Sequence, residues 1–326
     1  MLTGSSMNRG RRGGSSLERA LGRALARETQ EPAWQLGPVL VVLLAGWMAV
    51  VWPWLSGRVT IPWDAKAHFQ PQIQFLAQSI ARGDWPTWAP FVFSGHPQIA
   101  DPQSMLFSPP FLLLALVNGN PSLWAVDMTV MLMQFAGAAA LVVWFRDQNW
   151  HWAGAIIAGL VFAFGASMAW RLQHTGQVLS LAYWPMALVA VDRAFALRSF
   201  RWAAVAGIVG AFILLGRDQV ALLVIYLLAA QVIWRWLSSE RPAETLRHMV
   251  GPLSLGAIVA IVIVAIPILL TTLLTADSNR PAIDAEGAGD IDIFGDDYPG
   301  RESGIEPMVT IANRIVKLSE ILGLKN

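Results

Sequence analysis

"GPVLVVLLAGWMAVVWPWL", residues 37–55, carries no charged side chain, and shortly after it the chain reads "PWDAKAHFQP", residues 62–71. At 1.5 Å per residue a helix over the first stretch reaches about 28 Å, close to the hydrocarbon thickness of a bilayer. The second stretch sets Asp64, Lys66 and His68 where such a helix emerges. The two together predict a membrane chain with chemistry at its surface.

Composition agrees. Of the 326 residues, 55% are hydrophobic and only 14% are charged, where a water-soluble domain of this length carries about a quarter. The net charge of +1 arises from charges segregated along the chain and points to no nucleic-acid partner. With no cysteine, disulfides and thiolate metal sites are excluded. Five histidines remain for imidazole chemistry.

Further apolar runs of spanning length lie at about 122–145, 152–171, 177–195 and 250–275. Residues 202–237 are interrupted by Arg217, Asp218 and Gln219 and read as a hairpin of two spans, the first of them short. An all-α bundle of about seven spans follows. "MLFSPPFLLLALV", 105–117, is too short to cross and contains Pro109 and Pro110, so it reads as re-entrant or interfacial. Arginines choose the orientation. With the N-terminus inside and 105–117 not crossing, Arg146, Arg193, Arg198, Arg201, Arg235, Arg241 and Arg247 all face the cytoplasm. Asp192 and Arg193 read as snorkelling boundary residues at that end.

Three regions result. Residues 1–36 form a basic cytoplasmic segment, either a short helix on an anionic leaflet or a disordered arm. They outrun the n-region of a signal peptide, so a retained anchor is expected. Residues 37–276 form the transmembrane domain, with a long outer loop at 56–121. Residues 277–326 form an outer tail holding an acidic stretch and a short amphipathic helix, "IANRIVKLSEILGL". A solvated loop is the simpler reading of those carboxylates, with a divalent cation left open.

In the outer loop, Pro71 and Gly83 bracket a helix whose apolar face, Ile73, Leu76 and Ile80, is expected to rest on the membrane surface. Trp85 and Trp88 suit the headgroup level. The same topology sends "RLQHTGQ" (171–177) and "GRDQ" (216–219) to the outer side, so the unusual polar residues converge on one compartment. Charges such as Arg217 and Asp218 at a span junction are costly and functional by default, though a local ion pair marking a turn remains open. No nucleophile elbow, phosphate-cradling glycine loop or zinc motif appears. The glycines in the apolar runs read as sites of close helix packing.

The order "D…F.P", "G.WPTW.P..FSG.P…ADPQ", "FSPP", followed by "RLQHTGQVLSLAYWP" and "GRDQVALLVIYLLA", resembles YfhO-type bacterial membrane proteins over about 37–285. That family is grouped with the GT-C glycosyltransferases. The resemblance implies a multi-pass protein of the bacterial inner (cytoplasmic) membrane. Its activity would be transfer of a sugar from a polyprenyl-phosphate donor to an extracytoplasmic glycan, lipid or protein acceptor. It places the acidic residue of the first outer loop, as base or metal ligand, at Asp64. Chemistry gives the same residue type independently: an attacking hydroxyl needs a base, and a departing phosphate needs cations. His68 and Asp101 join Asp64 as catalytic candidates; Lys66, Gln103, Arg171, His174, Gln177, Arg217 and Asp218 are the substrate-side candidates. Of these, Arg217 and His174 would face the phosphate, and Asp101 and Asp218 would orient substrate or hold a metal. A helix over 64–68 would set His68 one turn from Asp64. Asp64 is expected in a cavity with Asp101, His174 or Arg217.

The plainer readings stay open. Asp64 also fits an N-cap, the histidines fit supporting hydrogen-bond partners, and Asp101-Pro102 fits a turn start. Family members continue beyond this point with more spans, so a chain shortened near Gly289, with an incomplete catalytic module, is expected. Two other functions compete: a non-catalytic membrane scaffold, and a transporter or flippase of lipid-linked material. The latter needs polar groups near mid-membrane, whereas the cluster lies at the span ends.

Overall fold

The computed structural model describes residues 34–92, 95–216 and 218–276. Residues 1–33 of the basic segment, the acidic tail and Arg217 lie outside the described residues. The described chain is helical. Its extended pairing is a single antiparallel bridge between Ala89 and His96.

Helix α1 (Leu36–Leu55) leads into the outer loop, which contains a π-helical turn (Ala65–Phe69), α2 (Gln70–Arg82) and α3 (Pro109–Val117). Then come α4 (Leu123–Asp147), α5 (Trp152–Phe164), α6 (Ala166–Arg171), α7 (Thr175–Leu197), α8 (Phe200–Leu214), α9 (Gln219–Leu237) and α10 (Pro242–Ala276). Six helical segments are long and apolar enough to cross a bilayer, α5 and α6 counting together; α8 is apolar but shorter, at 15 residues or about 22 Å. Helix α3, with 9 residues, reaches about 14 Å and does not span, as its prolines and length predict.

Exposure separates the lipid-facing helices from the core. In α7, 72% of the most apolar stretch is buried, against 17–39% in the other five spanning segments. Helix α7 is therefore the central post. Helices α4, α8 and α9 pack directly on it, while α1 and α5 close around α4. Large apolar side chains such as Val41, Ile157, Leu223 and Val262 are left uncovered on the outer helices, as lipid contact requires. Exposed tryptophans band both ends of the bundle: Trp52, Trp63, Trp124 and Trp170 at one, Trp150, Trp152 and Trp234 at the other. These are the marks of a multi-pass membrane protein.

Close helix approach depends on glycine at two crossings. A Cβ on Gly207 of α8 would lie 2.2 Å from the carbonyl oxygen of Gly256 in α10. One on Gly137 of α4 would lie 2.8 Å from the Ala182 oxygen of α7. Neither backbone can yield, so the glycines set the interhelical distances.

The outer loop corrects one expectation. Helix α2 has the predicted ends, with Pro71 in its first turn and Gly83 left-handed at φ +81°. Its apolar face does not lie on a membrane, however. Leu76 and Ala77 are buried against Ile99, Ala100, Leu106 and Ala115, and Leu270 of α10 closes the cluster. The Thr271 hydroxyl donates to the Ala100 carbonyl at 3.0 Å and pins the loop to α10. Trp85 packs on Phe107, and Trp88 covers Gly95, where a Cβ would meet its ring at 2.5 Å. Both tryptophans are half-buried within the loop, Trp85 against the Leu76 cluster and Trp88 over Gly95.

Candidate functional site

The alternation of helices brings the described residues of 56–121, the 172–174 turn, Gly216 and Asp218 to one end of the bundle. At this end the His174 Nδ1 lies 3.2 Å from Asp64 Oδ2. Residues more than a hundred positions apart are joined here, from the exits of α1 and α6. The Asp64 side chain caps nothing, although it sits at the start of the π-helical turn. Its side chain is 55% exposed and that of His174 is 36% exposed, so the pair adds at most about 1 kcal/mol to stability. Stability does not account for this contact.

The backbone around Asp64 is unusual. Trp63 holds φ +59°, a left-handed conformation that is a real outlier for a bulky residue. The next turn is π-helical rather than α-helical. Strained residues and π-turns concentrate where a side chain must be aimed. The wide turn also alters the expected Asp64–His68 neighbourhood. His68 Nε2 accepts from the Gln72 amide at 2.9 Å, and Gln98 Nε2 donates to Gln72 Oε1 at 3.3 Å. His68 therefore turns to a groove beside Asp64 and does not orient it.

That groove, about 350 Å³, is lined by His68, Gln72, His96, Gln98 and Asp101, with Phe91 at its rim. Asp101 Oδ2 lies 3.3 Å from His96 Nε2, and its Oδ1 accepts from the Gln103 backbone N–H at 2.8 Å. Burial pushes the Asp101 carboxyl up, but the His96 and Gln103 hydrogen bonds and the charges of His96 and His68 outweigh it. The carboxyl is held below its ordinary value of 3.8. Asp101 thus makes the predicted turn and a histidine contact as well. Gln103 contributes its backbone, and its side chain is exposed. Asp64 does not line this groove; of the three partners expected beside it, it meets His174 in an exposed pair next to the groove.

The other candidates divide. Asp218 Oδ1 accepts from the Ala221 N–H at 2.8 Å, and Oδ2 accepts from the buried Ser180 hydroxyl at 3.4 Å. It caps α9 and ties it to α7, so both oxygens have structural partners. Arg171 folds back on its own helix, its Nη1 donating to Ser167 O and Oγ at 3.2 and 3.1 Å. Lys66 is exposed, with no ion pair among the described residues. Gln177 lies in the first turn of α7, half-buried, its backbone N–H donating to His174 O at 2.9 Å. Among the described residues no three His, Asp or Glu side chains converge as a metal site requires. Asp64 and His174 supply two such groups.

Two carboxylates stand out that the sequence reading passed over or misjudged. Asp127, buried in α4, accepts from the Ile61 N–H at 2.9 Å and fastens the start of the outer loop to the bundle. A lone Asp in an otherwise apolar run was its signal. At the opposite end Asp192 is buried, not snorkelling. It accepts from Trp144 Nε1 at 2.7 Å, Gln148 Nε2 at 3.0 Å and Gln231 Nε2 at 2.7 Å, and pairs with Arg235 through both oxygens. Beside it Arg193 Nε pairs with Asp147 at 2.6 Å.

No protein-family model, curated protein or solved structure matches the chain.

Proposed function

We propose that the chain is a membrane glycosyltransferase of GT-C type, crossing the bilayer seven times with α8 as the short seventh span. It moves a sugar from a polyprenyl-phosphate donor to an extracytoplasmic acceptor. The observation that carries this reading is the Asp64–His174 pair: an exposed, uncapping carboxylate held beside an imidazole where α1 leaves the bilayer. The arginine asymmetry supports an extracytoplasmic location for that end. Arg146, Arg193, Arg198 and Arg235 sit at the opposite end with the Asp192 network.

In the proposed reaction the acceptor hydroxyl attacks the anomeric carbon while the bond from that carbon to the phosphate oxygen breaks. The hydroxyl proton passes to the Asp64 carboxylate, and the bonding pair leaves with the polyprenyl phosphate. His174 orients the carboxylate through the 3.2 Å contact, and Lys66, which makes no ion pair among the described residues, offers a cation to the phosphate. The groove with His68, Gln72, Gln98 and Asp101 has the hydrogen-bonding groups to hold a polyhydroxylated acceptor. Transfer of label from radiolabelled polyprenyl-phosphate sugars, by membranes carrying wild type or Asp64→Asn, tests the reading. Label transfer that survives Asp64→Asn unchanged removes it.

A further inference from the structure

The Asp192 end holds a cavity of about 660 Å³ between the α7–α8 and α9–α10 turns. Arg193, Arg198, Arg235, Ser238, Ser239 and His248 line it. Arg193 is matched by Asp147 and Arg235 by Asp192, while His248 Nε2 lies 3.7 Å from Glu244. Arg198 makes no ion pair or side-chain hydrogen bond among the described residues and leaves the cavity with a surplus positive charge. It also occupies the left-handed C-cap of α7, at φ +48°, a position that glycine fills without strain. A cap alone does not explain an arginine there.

An apolar groove of about 230 Å³ adjoins this cavity, and Phe195 lines both. Ala206 and Gly207 of α8, Ala229 and Val232 of α9, and Gly256 and Ala257 of α10 form its walls. It exists because α9 leans on α7 whereas α8 and α10 close on each other at the Gly207–Gly256 crossing. The cavity sits at the boundary height marked by exposed Leu197, Phe200, Trp234 and Leu237. A positive pocket at that height, sharing Phe195 with an apolar slot, has the polarity of a lipid.

We propose that this end of the bundle is a binding site for one anionic phospholipid, its phosphate on Arg198 and one acyl chain in the α8–α9–α10 groove. A soluble phosphate compound would use the cavity and leave the groove empty. The site is separate from the Asp64–His174 pair and stands whether or not the chain transfers sugars.

The test uses the full chain purified in detergent, exposed to dioleoylphosphatidylglycerol or dioleoylphosphatidylcholine, with retained lipid counted by native mass spectrometry. Wild type is expected to hold one phosphatidylglycerol with about five-fold preference over phosphatidylcholine, the worth of one interfacial arginine. Arg198→Gln abolishes the preference and Arg198→Lys keeps it. Ala229→Phe, at an exposed position of α9, fills the groove and lowers retention of both lipids. Equal retention of the two lipids by wild type, or a preference untouched by Arg198→Gln, overturns the site. Displacement by millimolar inorganic phosphate, with Ala229→Phe behaving as wild type, overturns the lipid in favour of a soluble phosphate ligand.

Discussion

Replacing Asp192 by Leu, set against replacing Arg235 by Met, separates two accounts of the buried network. Asp192 accepts from Trp144, Gln148, Gln231 and Arg235, which come from α4, its C-cap and α9. Removing the carboxylate takes the acceptor from all four donors at once. Neutral donors left without partners cost about 1 kcal/mol each, and a charged one about 1.5–3 kcal/mol. The Arg235 side chain is 32% exposed and keeps a 3.1 Å bond to Gln148 Oε1, so its share falls at the low end. Asp192→Leu is expected to lose roughly 4.5 kcal/mol, or about 9–18 °C in Tm for a chain of this size. Arg235→Met leaves the carboxylate solvated by three neutral donors and is expected to cost only about 1 kcal/mol. Thermal unfolding of both variants in one detergent, followed by tryptophan fluorescence, gives the comparison. Equal losses, or a larger loss for Arg235→Met, refute the view that the acceptor rather than the ion pair organises this end.

At the α8–α10 crossing, Gly207→Ala drives a methyl into the Gly256 carbonyl, and overpacking of that kind costs about 1–3 kcal/mol; Gly210→Ala, with nothing within 4 Å, is the control. A lower Tm for the first variant alone is the expected result, and matching Tm values contradict the packing. Asp101 titrates below its ordinary 3.8, so in the folded protein it contributes stability that is complete above that value and lost as the pH falls through its folded value. Between neutral pH and pH 3, wild type is expected to lose Tm more steeply than Asp101→Asn, and parallel acid limbs contradict this. The natural chain has no cysteine, so Asn118→Cys and Ser238→Cys report sidedness directly. A membrane-impermeant maleimide added to intact cells should label Asn118→Cys and spare Ser238→Cys; labelling of both, or the reverse, contradicts the orientation.

Local signals in the sequence were enough for the helices, and distance in the sequence hid the contacts. Pro71 and Gly83 marked the ends of α2, and a 9-residue run with two prolines excluded α3 as a span. Asp64 and His174 were both candidates, and their place at the same end followed from the alternation of spans. Their 3.2 Å contact did not, because it depends on how the α1 and α6 exits meet. His96 went unmarked since its role arises only when Gly95, at φ +119°, turns it towards Asp101. Asp192 and Arg193 are adjacent in sequence, yet α7 buries one against α4 and α9 and leaves the other facing Asp147. Position at a span end could not tell them apart. The amphipathic face of α2 was correctly drawn, and its partner was not, because period alone does not distinguish protein from lipid as the covering surface.

In the proposed reaction Asp64 accepts the proton of a sugar acceptor at the surface where α1 emerges. The most direct measurement is the initial rate of sugar transfer from labelled polyprenyl-phosphate donors, compared between wild type and Asp64→Asn in membranes with matched protein levels. Loss of a general base predicts a fall of about 10²–10⁴-fold, with Asn unable to take the proton while preserving shape. A rate within a few-fold of wild type for Asp64→Asn contradicts the claim, as does wild-type protein that transfers no sugar from such donors.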